Sequence, residues 1–104
     1  MSTRAGARHT AAFAPTKAAQ RILAESMARY LGPKGVHVGY VLIDAAIDMP
    51  WARELVSKRL NGKPAPDEIF CTPEGIAEAV YTLSQQDKQA WTFEMDVRPF
   101  GERW

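Results

Sequence analysis

Residues 13–44 read FAPTKAAQRILAESMARYLGPKGVHVGYVLID, and the order of events in this stretch decides the fold. Ala19, Ile22, Leu23, Met27, Tyr30 and Leu31 recur at three- and four-residue spacing, which predicts a helix over about 13–31 with one face buried. Pro15 fits this helix only in its first turn, where a missing N–H costs nothing. Gly32 and Pro33 are the expected stop. The run VHVGYVLID, residues 36–44, then alternates Val36, Val38, Tyr40 and Leu42 with His37, Gly39, Val41 and Ile43. The second set is apolar at Val41 and Ile43, so both faces call for cover, the mark of an inner strand in a parallel sheet. A helix that feeds such a strand points to an α/β fold.

The rest of the chain extends that pattern. The loop DAAIDMP leads to a second helix over about 50–60, with Asp48 as the expected N-cap and NGKPAP as the stop. Thr72 and Pro73 open a third helix as N-cap and first helical residue, with an inward stripe of Ile76, Ala79, Val80 and Leu83. In WTFEMDVRPF, Trp91, Phe93, Met95 and Val97 alternate with Thr92, Glu94, Asp96 and Arg98, a half-buried edge strand closed by Pro99. The order is helix, strand, helix, helix, strand, which implies a parallel crossover, right-handed by the usual rule. Two parallel strands alone make a poor sheet. The expectation is therefore one partial domain over residues 1–104, with part of its sheet missing or supplied by another chain.

Bulk properties narrow the function. Hydrophobic residues make up 46% of the 104 and charged residues 24%, a globular profile. A formal net charge of +1 with interspersed signs leaves no basic footprint for nucleic acid and no polybasic patch for a membrane. Cys71 is the only cysteine, so neither an intrachain disulfide nor a paired-cysteine metal knuckle can form, which fits a reducing cytoplasm. The first residues, MSTRAGARHTAAFAPTK, lack the apolar core of a secretion signal; they are basic and acid-free, as transit peptides are. No apolar run is long enough to span a bilayer.

The helix and strand FAPTKAAQRILAESMARYLGPKGVHV resemble the catalytic helix of short-chain dehydrogenases/reductases and the strand after it. That family carries Y-x-x-x-K at the start of the helix and a P-G-x-I-x-T-like loop after the strand. Here the loop is DAAIDM, with Ile47 kept, and WTFEMDVRPFGERW is similar to the last strand and tail of a family branch. The resemblance runs from about Ser2 to Trp104 and corresponds to the C-terminal part of the family's fold, a Rossmann-like doubly wound parallel sheet without its N-terminal strands. It implies an oxidoreductase that interconverts carbonyls and alcohols of a small-molecule substrate with NAD or NADP. It also implies a homo-oligomer, or a complementing N-terminal polypeptide. The glycine-rich T-G-x-x-x-G-x-G turn that holds a dinucleotide pyrophosphate is nowhere in the sequence.

By the same resemblance, the candidate catalytic residues are Lys17, Phe13 and Ser2. In the family the tyrosine hydroxyl transfers the proton, and a lysine one turn later lowers its pKa and holds the nicotinamide ribose. The i, i+4 spacing puts both on one helix face. Lys17 matches the lysine, whereas Phe13 stands at the tyrosine's position with no proton to move. Ser2, with Thr3 beside it, lies near the spacing of the family's substrate-orienting serine; a frayed terminus is the plain alternative. Lys17, Asp44, Ala45, Ile47 and Met49 are the candidate cofactor-binding residues. Ile47 matches the residue whose backbone meets the carboxamide. Asp44-Ala45 replaces Pro-Gly and Met49 replaces the hydrogen-bonding threonine. Without the resemblance, Phe13 is a packed aromatic and Lys17 a solvated lysine, while Asp44 and Asp48 are a strand-end turn and a helix cap. His9 and His37 lack metal-ligand spacing. Trp51, Trp91 and Trp104 have no basic groove with them and read as core or interface aromatics. An inactive remnant that acts by association is the alternative to an enzyme.

Overall fold

The computed structural model describes residues 11–103. Its first helix, α1, spans Phe13–Leu31, as the periodicity requires. Pro15 lies in the first turn, and Ala12 begins the helix without a side-chain cap. Along the outer surface Arg21 and Arg29 both grip Glu25, at 3.1 and 2.8 Å, the one-turn spacing that ties a helix to itself. The helix passes into a single 3₁₀ turn, Gly32–Lys34. The chain reverses at Gly35, whose φ of 81° suits a residue without a Cβ. Gly32 itself is helical (φ −53°), so the stop lies three residues later than Gly32 implied.

Strand β1 is Tyr40–Ile43, shorter than the 36–44 run expected. Val36 still belongs to the helix-ending turn through its N–H to the Leu31 carbonyl, 3.2 Å. His37 stacks flat on Trp91, ring centroids 4.8 Å apart, and one ring nitrogen bonds the Thr92 carbonyl at 2.8 Å. Ladder pairing therefore starts only at Tyr40, whose N–H reaches Phe93. Its partner is β4, Glu94–Val97, and the pair is parallel, with Tyr40 opposite Glu94 and Ile43 opposite Val97. Within β4 the expected alternation holds, Met95 and Val97 half-buried and Glu94 and Asp96 exposed, whereas Arg98, expected outside, is only 14% exposed because it pairs with Asp44 and Asp96.

Both faces of β1 are covered only in part: Leu42 is buried, and Tyr40, Val41 and Ile43 are half-buried. Tyr40 reaches toward α1, its hydroxyl donating to the Lys17 carbonyl at 3.5 Å. Gly39 points the other way. A Cβ there would lie 2.5 Å from Leu83, on α3, Pro73–Ser84. Thr72 caps α3 as its sequence promises, accepting the Gly75 N–H at 3.1 Å.

Two further strands escape the sequence reading. Ala46–Ile47 (β2) and Phe70–Cys71 (β3) form a separate two-stranded parallel sheet, Ile47 opposite Cys71. Each is two residues long, too short for any periodicity to register. Between them lies α2, Pro50–Arg59. Its N-cap is Met49, with no side-chain cap, and not Asp48. The Asp48 carboxylate is drawn instead onto the Arg53 guanidinium, at 2.5 and 2.8 Å, a two-pronged charged contact stronger than a cap. Asn61 and Gly62, both at positive φ, close α2, the Gly62 N–H returning to the Ser57 carbonyl at 2.9 Å.

The core is small: Ala14, Leu42, Ala52, Phe70, Cys71 and Leu83 are buried, and no described side chain is wholly enclosed. The α1 stripe that the sequence places inside is largely outside, with Ile22, Leu23, Met27 and Tyr30 each 44–68% exposed. The reason is geometric. At 19 residues α1 is about 28 Å long, whereas a four-residue strand spans about 13 Å. Two strands cannot cover such a helix.

Candidate functional site

An open groove of about 840 Å³ runs between α1, the strand-and-loop segment 39–47 and α2. The periodicity of α1 sets one wall. Phe13 and Lys17, one turn apart, both line it, with the Lys17 ammonium 5.5 Å from the centre of the Phe13 ring. The floor is β1 and the turn that leaves it, bringing Asp44, Ala45 and Ile47 into the same groove. The five candidates Phe13, Lys17, Asp44, Ala45 and Ile47 thus share one site. Met49 does not line it and is 40% exposed at the head of α2. Ser2 lies outside the described residues.

The floor is held from behind. Asp44 pairs with Arg98 at 3.3 Å, both side chains 14% exposed, and Arg98 also meets Asp96 at 3.3 Å. Asp44 is thus neither a simple turn residue nor a free carboxylate: its charge is matched across the β1–β4 pair. Ile47 is fixed by the β2–β3 ladder, and the next residue extends it, the Asp48 N–H bonding the Cys71 carbonyl at 2.8 Å. Arg53 closes the arrangement. It holds Asp48, reaches Asp67 at 2.7 Å and lies 4.8 Å from the Phe70 ring centre. Those hydrogen bonds hold the Asp48 carboxyl below its ordinary pKa and push that of Arg53 up. Cys71, 6% exposed, has its thiol pushed up by burial, which makes it a poor nucleophile.

Chemically, the described lining offers the Lys17 and Arg59 cations, the Glu102 carboxylate, the Asp44 carboxylate matched by Arg98, the Gln20 amide, and the main chain of 45–47. Tyr40 carries its one hydroxyl, and that hydroxyl is directed at the Lys17 carbonyl. Phe13 contributes an apolar face and no proton. The sequence reading missed the second wall, formed by Trp51, Leu55 and Arg59 of α2, and it missed Glu102, which the tail brings to the groove. The first three stand at i, i+4 and i+8 in PWARELVSKR, a spacing that was legible once Trp51 was not assigned to the core. Glu102 has no local signal.

No family model matches the chain, and no curated protein matches it. Among solved structures, one neighbour is the crystal structure of a short-chain dehydrogenase from Rhodopseudomonas palustris, 37% identical with a TM-score of 0.61. This chain is similar to a short-chain dehydrogenase. The match covers 94% of this chain and 34% of that one, which fits the C-terminal portion of such a protein. It supports a Rossmann-like setting for these helices and parallel strands, and it is the likeness that the Phe13–Lys17 helix implied. No helix among the described residues is long and apolar enough to cross a membrane.

Proposed function

We propose that the groove is the nicotinamide end of a short-chain-dehydrogenase-type site, in an oxidoreductase that interconverts a carbonyl and an alcohol with NAD or NADP. The observation that carries this reading is the meeting of Lys17 with the Ile47 main chain in one groove, in a chain 37% identical to a short-chain dehydrogenase. Lys17 would hold the nicotinamide ribose and the Ile47 backbone the carboxamide. The nicotinamide supplies or accepts hydride when bound. The fit is to that end alone: no glycine-rich strand-to-helix turn for the pyrophosphate occurs in the sequence. In this reading β1 and β4 are part of a wider doubly wound sheet, and the groups that hold the pyrophosphate come from a complementing N-terminal polypeptide.

Phe13 changes the chemistry open to the site. A benzyl ring accepts and donates no proton, so the carbonyl oxygen has to take its proton from water or from the substrate. Lys17 would still favour negative charge on that oxygen. The isolated chain is therefore expected to bind a nicotinamide weakly and to turn over little or nothing. The test is a titration of the purified chain with NADH, followed by nicotinamide fluorescence. A saturable change that Lys17→Met weakens supports the reading; a flat titration, or one indifferent to Lys17, overturns it.

The second reading is an association module without catalysis. It is favoured by the exposed stripe Ile22, Leu23, Met27 and Tyr30 on α1, a large apolar surface for so small a chain. A homo-oligomer is its simplest form, and sedimentation equilibrium tests it.

A further inference from the structure

The wall of the groove formed by α2 has a composition that nothing in the nicotinamide reading uses. Trp51, Leu55 and Arg59 lie on one face of α2, two helical turns end to end, and all three line the groove. Eight residues of helix place the first and last about 12 Å apart along the axis. Trp51 is 66% exposed and Leu55 45%, so these are large apolar side chains bordering solvent and not packed core. The same helix places a charged pair elsewhere: Glu54 and Lys58, which do not line the groove, bind each other at 2.8 Å. Arg59, at the far end of the apolar stretch, takes part in none of the described ion pairs.

The acidic groups of the groove are gathered elsewhere. Asp44 is matched by Arg98. Glu102 follows Gly101, whose N–H bonds the Glu68 carbonyl at 3.0 Å just ahead of β3, and β3 pairs with β2. Both carboxylates thus belong to the β2 end, by the turn that leaves β1. The α2 wall therefore runs from an aromatic, through an aliphatic side chain, to an unmatched cation.

We propose that this wall receives an amphipathic anion: a ligand with an apolar body laid along Trp51 and Leu55 and a carboxylate at its distal end on Arg59. The inference rests on the proposed function only in taking this ligand as the substrate, its carbonyl or hydroxyl carbon toward Lys17. The recognition is physical. Burying an apolar body against Trp51 and Leu55 is favourable at about 25 cal/mol per Å². A planar guanidinium suits a carboxylate, and its attraction rejects a neutral ester of the same shape.

The experiment uses octanoate and methyl octanoate as probes, with the full chain labelled with ¹⁵N, and follows amide shifts of α2 and of residues 39–47 by NMR. Octanoate is expected to shift residues around Trp51, Leu55 and Arg59 saturably, and more tightly than the ester. Arg59→Met is expected to weaken octanoate by about fivefold while leaving the ester unchanged. Leu55→Asp is expected to weaken both; because Leu55 is exposed, an unchanged amide spectrum outside α2 establishes that this variant still folds. Equal binding of acid and ester, octanoate binding indifferent to Arg59, or shifts confined to other surfaces would each overturn the proposal. NADH is titrated separately: octanoate binding with a flat NADH titration sinks the nicotinamide reading alone, and the reverse result sinks this one alone.

Discussion

At the scale of single residues, the site is defined by one match and one replacement. In the proposed reading, Lys17 stands where a nicotinamide-contacting lysine is expected, and Phe13 fills the place of a proton-transferring tyrosine. The sequence shows that the two share a helix face, because a one-turn spacing at a helix start needs no tertiary information; their roles come only from the resemblance to short-chain dehydrogenases. The partners of the neighbouring charges were not legible there. Asp48 reads as a cap from its position, yet a guanidinium five residues on offers more than an N–H does, and Arg53 captures it. That pairing carries a pH dependence whose sign follows from its direction. The Asp48 carboxyl is held below its ordinary value, so it contributes stability above that value and loses it as pH falls through the carboxylate range. Arg53→Met is expected to flatten this acid limb, seen as a smaller drop in melting temperature between pH 6 and pH 3 than the parent chain shows. An unchanged acid limb would mean that the clamp is not formed in solution. Cys71 gives a second residue-scale prediction. Buried, and with its thiol pushed up, it should react with a thiol reagent at neutral pH only as fast as the chain opens, and promptly in denaturant. Prompt labelling of the native chain would contradict that burial.

At the scale of elements, the long periodic segments were readable and the short ones were not. α1 and α3 follow from apolar spacing and from Thr72 with Pro73, although Val80, expected on the inward stripe of α3, is 46% exposed, and the last strand follows from its alternation. β2 and β3 are two residues each, paired with each other across α2 and the loop after it, so no local pattern announces them. The strand from 36 to 44 was read too long because apolar alternation persists through Val36 and Val38, while hydrogen bonding begins at Tyr40. The packing of these layers hinges on Gly39. A Cβ there would meet a terminal carbon of Leu83 at 2.5 Å, and Leu83 is itself buried. Gly39→Ala is therefore expected to cost about 1–3 kcal/mol in urea denaturation, the range for overpacking. Gly32→Ala is its control: that position is helical and open, with nothing within 4 Å of a Cβ, so it should be neutral or stabilising by up to about 1 kcal/mol. Similar losses in both variants would mean that α3 does not pack on β1 in this way.

At the scale of the whole molecule, the long helix is incompletely covered. A helix twice the length of its strand leaves Ile22, Leu23, Met27 and Tyr30 exposed, and the sequence could not reveal this, because periodicity shows that a face is apolar and not what covers it. We expect the chain to self-associate through that face. Sedimentation equilibrium should show mass rising with concentration, and Leu23→Glu should shift the distribution toward monomer without lowering its melting temperature. A parent chain that stays monomeric across the range would remove the association reading. The nicotinamide reading meets its most direct check in saturation-transfer NMR with NADH on the same chain. With only one end of the dinucleotide held, saturation should reach the nicotinamide ring protons, fade toward the adenine, and fall when Lys17 is replaced by Met. Stronger transfer to adenine than to nicotinamide, or none to either, would contradict the claim that the Phe13–Lys17 groove is a nicotinamide site.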